Sequence, residues 1–216
     1  MKYCSLILLF ILFSCGNKED ILLPKSNVTI VSNVLDHSPI YIFFRTKEKD
    51  TLAEVNKKNE IISTNWIFNI DKRLPLRLVI PEVMKLQEKK RNEVAHKNEL
   101  AQNYYSYADS IGKNLAFLPF TKVYYKMEKP KFGVIVYFDK HNALFVFDWF
   151  SMKNILVKRE DLQEYLNTLP SDKPNKFLFC FAKKLNFGSY IQDKIFIQSL
   201  KFPLPNINLT NEEFIY

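Results

Sequence analysis

The sequence predicts an α+β protein built from two tandem β-sheet and helix units. Each is read as β-β-α-β-α-β, with its helices on one face of its sheet. Three observations lead there. Hydrophobic residues make up 47% and aromatics 15% of the 216 residues, which suits packed cores rather than disorder. Apolar runs of strand length alternate with segments of helical period. A strand–basic turn–helix phrase also occurs twice, as "FNIDKRLPLRLVIPEVMKLQ" from Phe68 to Gln87 and as "FCFAKKLNFGSYIQDKIFIQ" from Phe179 to Gln198, 111 positions apart.

In the later unit, "GVIVYF" (Gly133–Phe138) reads as a strand, "DKHN" as a turn and "ALFVFDWF" (Ala143–Phe150) as its hairpin partner. "REDLQEYLNTL" follows with Leu162, Tyr165, Leu166 and Leu169 at helical spacing, and "PSDKP" breaks it. "KFLFCFA" (Lys176–Ala182) is apolar on both faces, as a central strand should be. Asn186 reads as a helix cap, and Phe187, Tyr190, Ile191 and Ile195 mark one helical face. "NINLTNEEFIY" supplies a final strand to close the sheet.

The earlier unit repeats this skeleton. "NVTIVSNV", "SPIYIFF" and "DTLAEV" read as strands and "NWIFNI" as the central one, with no room for the first helix. Leu74–Leu76 matches Leu185–Phe187, and Val79, Ile80, Met84 and Leu86 match Tyr190, Ile191, Ile195 and Ile197. Pro81 should kink or restart the helix, because it lacks an N–H and crowds the preceding turn. Beyond it, "EVMKLQEKKRNEVAHKNELAQ" reads as a mostly polar helical extension, and "FLPFTKVYY" (Phe117–Tyr125) as a closing strand. Across the twenty aligned positions five residues are identical: Phe68/Phe179, Lys72/Lys183, Leu74/Leu185, Ile80/Ile191 and Gln87/Gln198. The domain boundaries follow: residues 1–14 as a signal peptide, 15–27 as a tether, 28–130 as the first unit with its extended helix, and 131–216 as the second.

The N-terminus has one early lysine, Lys2, then "LILLFILF", then "LFSC" ending at Cys15. The apolar run is too short to span a bilayer. The layout resembles a bacterial lipoprotein signal, in which the cysteine is acylated and becomes the new N-terminus; Phe13 departs from the commonest pattern. That resemblance implies a membrane-anchored protein of the bacterial cell envelope, on the periplasmic or the surface side of the outer membrane. "KED" at Lys18–Asp20 resembles an acidic surface-export signal, and a plain solvated linker reads equally well. Loss of Lys2 lowers the formal charge from +8 to +7, which favours acidic partners such as phosphorylated lipids, anionic wall polymers or acidic protein segments. An exported protein is a poor candidate for nucleic acid. Cys180 would be the remaining thiol, in an apolar strand where a structural cysteine is expected and no intrachain disulfide can form.

From Val134 to Tyr216 the order of elements resembles the periplasmic domain of the ExbD/TolR family of biopolymer-transport proteins. "VKREDLQEYLNTL", "KFLFCFAKKLNFGSYIQDKIF" and the terminal strand carry the likeness, with "AKKLNF" and "IDKRLPL" at the strand-to-helix turn. The resemblance implies domains that dimerise and grip a partner protein or the wall, and so admits a homodimer. The family's transmembrane helix bears an acidic residue. The apolar N-terminal run here contains no Asp or Glu, so the resemblance extends to partner binding and not to the ion-driven motor.

No catalytic constellation emerges. His37, His96 and His141 are scattered without metal-ligand spacing, and "DHS" at Asp36–Ser38 packs triad residue types too close together to face one another. Four glycines leave no phosphate-cradling loop and no nucleophile elbow. No cofactor or metal is expected, and the protein reads as a non-enzyme. Two features invite a binding role. "YYSYADS" gathers Tyr104, Tyr105 and Tyr107 in an expected loop that could stack on a sugar or peptide, or else pack between the units. Lys72/Arg73 and Lys183/Lys184 sit at the basic turn of each unit, where a helix N-terminus would add to their positive charge. The expectation is a lipid-anchored envelope adaptor that binds an envelope protein segment or peptidoglycan, by adding a partner strand to a sheet edge. A surface-exposed ligand- or glycan-binding lipoprotein is the main alternative, and a hydrolase drawing His, Asp and Ser from distant segments is a third.

Overall fold

The computed structural model describes residues 20–56, 58–95, 97–141, 143–149, 152–168, 175–202 and 207–216. The segment read as a signal peptide, residues 1–14, and Cys15 and His96 lie outside the described residues. Among the described residues, two six-stranded mixed sheets and three helices make an α+β fold, as the sequence predicts.

The first sheet contains β1 (Lys25–Ser26), β2 (His37–Lys47), β3 (Asp50–Asn56), β4 (Asn65–Ile70), β5 (Asn103–Asp109) and β6 (Asn114–Pro119). Its order is β3-β2-β4-β5-β6, with β1 lying beside the end of β5. The second sheet contains β7 (Tyr124–Lys126), β8 (Val134–Phe138), β9 (Leu144–Asp148), β10 (Lys153–Val157), β11 (Asn175–Phe181) and β12 (Ile207–Ile215), in the order β10-β9-β8-β11-β12-β7. Helix α1 (Leu76–Asn92) links β4 to the parallel β5, α2 (Leu162–Asn167) precedes β11, and α3 (Phe187–Ser199) links β11 to the parallel β12. A parallel pair needs such a crossover, so the two units share one path: hairpin, central strand, helix, parallel strand.

The registers agree in detail. Ile40 faces Phe68, which faces Tyr105; Val136 faces Phe179, which faces Glu213. The helices α1 and α3 start 111 positions apart, the same offset as Phe68 and Phe179. Their inward residues Val79, Ile80 and Leu86, and Tyr190, Ile191, Ile195 and Ile197, are buried in one core that spans both units. Among the described residues, no helix separates β3 from β4.

Several expectations are corrected. "NVTIVSNV" is not a strand: apart from a bridge between Val31 and Phe117 it runs irregularly. "YYSYAD" is strand β5, not a loop, because its alternate residues Tyr105 and Tyr107 fill the core. "FLPFTKVYY" divides: its start belongs to β6, while Tyr124–Lys126 crosses to the second sheet and pairs with β12. The final strand β12 is therefore flanked by β7 and does not form the edge. Helix α1 runs unbroken through Pro81 and ends at Asn92, well short of Gln102. Lys89, Lys90 and Arg91 occupy its last turn, where cations suit the helix dipole. The tether is not free over its whole length. The Leu22 carbonyl accepts the Lys72 N–H at 2.7 Å, and Pro24 and Ser26 accept from Ala108 and Ser110.

Candidate functional site

The two basic turns meet. The Leu76 N–H donates to Leu185 O at 2.9 Å and the Phe187 N–H to Leu74 O at 2.8 Å. The Arg77 N–H donates to Lys183 O at 2.9 Å, and the Gly188 N–H to Lys72 O at 2.9 Å. Each bond maps onto its counterpart by the 111-residue offset, and Pro75 bridges Asn186 between them. A local two-fold thus relates the units, and the repeated phrase is its interface. The first N–H groups of both helices are consumed by carbonyls of the other unit. They are not free for an anion, so the helix N-termini do not add the expected anion-binding groups.

The side chains of these turns do reach solvent. Arg73, Arg77, Lys183 and Lys184 are exposed and Lys72 is half-buried. Arg73 folds back onto Asp71, with Nη2 2.8 Å from Oδ2, and over the Phe44 ring. Burial alone would raise the Asp71 pKa, but hydrogen bonds from the Arg73 side chain, the Arg73 N–H and the Leu22 N–H hold its carboxyl below the usual range. In the second unit Ala182 stands at the position of Asp71, 111 residues on, so Lys183 and Lys184 have no equivalent acid in their own turn.

The tyrosines separate into two groups. Tyr105 and Tyr107 are fully buried and Tyr104 is half-buried. Tyr105 stacks on Phe120 at 3.7 Å and meets Phe187 and Tyr190 of the second unit edge-on at 5.3 and 6.2 Å. Its hydroxyl bonds to that of Tyr125 at 2.7 Å, Tyr125 bonds to Tyr190 at 3.0 Å, and Tyr190 donates to Glu213 Oε2 at 2.7 Å. Lys194 closes the chain on Glu213 Oε1. Burial drives all three phenols well above their ordinary pKa, so they stay neutral donors. Tyr107 spans the Val28 carbonyl and the Ile30 N–H, both at 2.9 Å. These rings pack the junction and tie down the N-terminal segment; Tyr105 and Tyr107 offer no surface to a ligand.

The surface best built for recognition is one that the sequence did not single out. Strand β10 is the edge of the second sheet, and Ile155 and Leu156 on it are 38% and 67% exposed. In the hairpin before it, Asp139 bonds Ala143 and Trp149 bonds Gly133. Antiparallel alternation then turns the backbone groups of Leu144, Val146 and Asp148 toward Val157, Ile155 and Lys153 of β10. The N–H and C=O groups of Asn154 and Leu156 are left pointing off the edge, and among the described residues no strand pairs with them. Leu156, Phe145, Tyr137, Cys180 and Phe214 form one row across the outer face of this sheet. Ile135, Tyr137, Phe145, Phe147, Asn154 and Tyr216 line a shallow, mostly apolar cleft of about 340 Å³ beside the edge.

The other edges are guarded. β3 carries Asp50 and Glu54, the latter paired with Arg45 at 2.6 Å. β6 is bridged by Val31, and β7 is only three residues long with Arg91 stacked on Tyr124 at 4.2 Å. Charge, cover and brevity are the usual protections of a sheet edge. β10 has Lys153 alone. Its signal was the short apolar "NILV" after the turn that contains Met152, a residue with a left-handed φ of 54°.

Among the described residues, the Asp, His and Ser of "DHS" do not bond one another. His37 Nδ1 is 2.8 Å from Val34 O, Ser38 Oγ bonds Thr64 Oγ1 at 2.7 Å, and Asp36 is exposed. His141 sits exposed in the β8–β9 turn. Among the described residues no three His, Cys, Asp or Glu side chains converge as metal ligands, and no helix is long and apolar enough to cross a membrane. Burial pushes the Cys180 thiol far up, away from the reactive thiolate. Asp193 is fully buried on α3, with Oδ1 on Arg159 and Oδ2 without a partner; burial pushes its pKa up to about 7 against the pull of the guanidinium. Burial also lowers Lys90 to about 8, but its ammonium is held by Thr64 O, Gln102 O and Asn103 Oδ1 as a strut for the end of α1. Comparison with protein-family models, with curated proteins and with solved structures finds no match to this chain.

Proposed function

We propose that the protein is a non-enzymatic, lipid-anchored adaptor of the bacterial cell envelope that binds an extended segment of a partner protein along β10. The observation that carries this reading is the open edge at Asn154 and Leu156, with an apolar cleft beside it. Backbone hydrogen bonds from an added strand supply affinity, and alternate side chains of that strand enter the cleft and supply specificity. The acylation pattern at Cys15 and the resemblance to ExbD/TolR periplasmic domains support the envelope setting and the gripping role. A photoreactive residue in place of Leu156 should cross-link one discrete envelope protein in cells. Asn154→Pro removes an outward N–H without touching the bonds to β9, and it should abolish that adduct. No adduct from position 156, or one indifferent to Asn154→Pro, would overturn the reading.

A further inference from the structure

The two-fold turn region gathers positive charge on one surface, and the chain reaches it directly from its N-terminus. Lys72 and Lys183 each give their carbonyl to the opposite helix start, so Lys72, Arg77, Lys183 and Lys184 emerge together although their sequence positions differ by up to 112. The Cβ of Lys72 would lie only 3.1 Å from a Cβ on Gly188, which shows how closely the turns approach. Asp71 is held by Arg73 and the Leu22 N–H, Asp139 beside Ala182 accepts the His141 and Ala143 N–H groups, and Asp20 is on the incoming chain. Tyr216 sets its main-chain oxygen on the Lys183 N–H at 2.9 Å, with the Lys129 ammonium over its ring.

Leu22 is fixed at this same place, by 2.7 and 3.3 Å bonds to Lys72 and Asp71, and its side chain is 45% exposed. Leu22 lies seven positions beyond Cys15, a reach of at most about 25 Å at about 3.6 Å per residue. An acyl chain on Cys15 would therefore keep this surface within about 25 Å of the bilayer that takes up the lipid.

We infer that the surface formed by Lys72, Arg77, Lys183 and Lys184 docks on anionic phospholipid headgroups and orients the anchored protein on its membrane. The inference rests on the lipid-anchored reading above. One acyl signal plus a basic patch is a stronger membrane address than either alone, and each basic side chain near an anionic surface strengthens binding about fivefold, the factor equivalent to about 1 kcal/mol. The effect acts within a Debye length of about 8 Å, so it requires direct contact, which the short tether permits and the basic side chains must supply.

The test uses the chain without residues 1–15, which keeps every described residue and removes the acylation site. It should sediment with vesicles of phosphatidylcholine and phosphatidylglycerol in equal parts, and not with phosphatidylcholine alone, and raised salt should release it. Lys183→Glu with Lys184→Glu should weaken binding at least twenty-five-fold, about fivefold for each basic side chain lost, with an unchanged thermal melt. The milder Lys183→Gln with Lys184→Gln guards against misfolding and should give a smaller loss. Lys58→Glu with Lys122→Glu makes the same charge change at the opposite end of the strands and should bind like the parent. Equal binding to both vesicles, no binding to either, or equal loss in the two charge-reversed variants would overturn the inference. Acyl labelling of the full chain and of Cys15→Ala tests the anchor separately. Vesicle binding without acylation would leave the surface standing and remove the anchor.

Discussion

In the first unit the central strand β4 runs into Asp71; in the second, β11 runs into Ala182. The same contrast recurs two residues earlier on the outer faces, where Asn69 stands opposite Cys180 in the alignment. Asn69 bonds Ser106 at 2.8 Å, and beside it Ile67 is covered by Val31 and Val34 of the N-terminal segment. On the second sheet Ile135, Leu178, Cys180 and Phe214 cluster under a partly exposed layer of Tyr137, Phe147 and Tyr216. One path has thus been finished in two ways. The first unit satisfies its turn charge, covers part of its outer face and guards its edge; the second leaves basic side chains, apolar face and edge strand available. Equivalent backbone positions fix the scaffold, and the difference in side chains leaves the edge of the second unit open to the proposed strand.

The largest expected effect tests whether the units are separable at all. Phe187 belongs to the second unit but packs on Tyr105 of the first, and it is fully buried. Phe187→Ala should cost about 3–5 kcal/mol, as for other buried aromatics cut to alanine. Because one core spans both sheets, unfolding in urea followed by far-UV circular dichroism and by tryptophan fluorescence should still coincide. Two resolved transitions would mean that the units fold independently and that the two-fold interface is a weak contact.

The sequence made the scaffold legible and the surface obscure, for physical reasons. Phe68, Ile80, Phe179 and Ile191 announce strand and helix because burial forces apolar residues into those periods. "NYYSYAD" hid its nature because tyrosine serves core and surface equally; only the partners of its hydroxyls decide the matter, Tyr125 for Tyr105 and Val28 with Ile30 for Tyr107, and these lie 20, 79 and 77 residues away. The closeness of Lys72 to Gly188 is likewise a property of the interface and not of either turn. β10 escaped notice because an edge strand with four exposed residues has no burial pattern to impose. The three-residue β7 is too short to carry any period, so its exchange into the second sheet could not be foreseen.

The next effect concerns a buried acid present in one unit only. Asp193 aligns with Glu82, which sits half-exposed beside Lys85 at 2.6 Å. The folded protein holds the Asp193 pKa at about 7 against an ordinary 3.8, so it binds a proton that the unfolded chain has lost. That stabilisation is complete below about 3.8 and disappears as pH rises through about 7. At 1.36 kcal/mol per unit it amounts to as much as about 4 kcal/mol. Urea midpoints should therefore rise from pH 8 to pH 5, and Asp193→Asn should flatten this rise. Glu82→Gln should keep it and shift stability by no more than about 0.5 kcal/mol. A parent protein with no rise across that range would show Asp193 ionised and fully paid for by Arg159.

Gly188 and Arg77 sharpen the comparison at the interface itself. A Cβ at Gly188 would sit 3.1 Å from Lys72 Cβ and 3.2 Å from Asn186 Oδ1, tighter than ordinary packing allows. Gly188→Ala should cost about 1–3 kcal/mol by overpacking, less the gain of about 1 kcal/mol from helix propensity. Arg77→Ala, at the matching position of the other helix, removes an exposed side chain and should stay within about 0.5 kcal/mol. Equal thermal shifts in the two variants would show that the turns yield to each other more easily than their spacing implies.

The smallest effect distinguishes the two helix starts. Asn186 caps α3, its Oδ1 accepting the Ser189 N–H at 2.8 Å, whereas Pro75 begins α1 with no side-chain cap. The third N–H of each helix is thus satisfied differently, Leu78 donating to the Pro75 carbonyl at 2.9 Å and Ser189 to the Asn186 side chain, and Asn186→Ala should lose about 1 kcal/mol. Asn186→Asp keeps an acceptor in place, so it should restore most of that loss if the cap is the cause. Pro75→Ala has no cap bond to lose, and it changes only the stiffness of the chain before α1, at about 0.4–1 kcal/mol through the unfolded state. Because Pro75 and Asn186 bridge each other, a second possibility is that Asn186 matters through the interface and not through its own helix. The aspartate then fails to rescue, and the loss from Asn186→Ala shrinks when Pro75→Ala is also present. Additive losses with rescue by aspartate assign the effect to capping, and a double-mutant cycle read from urea midpoints separates the two.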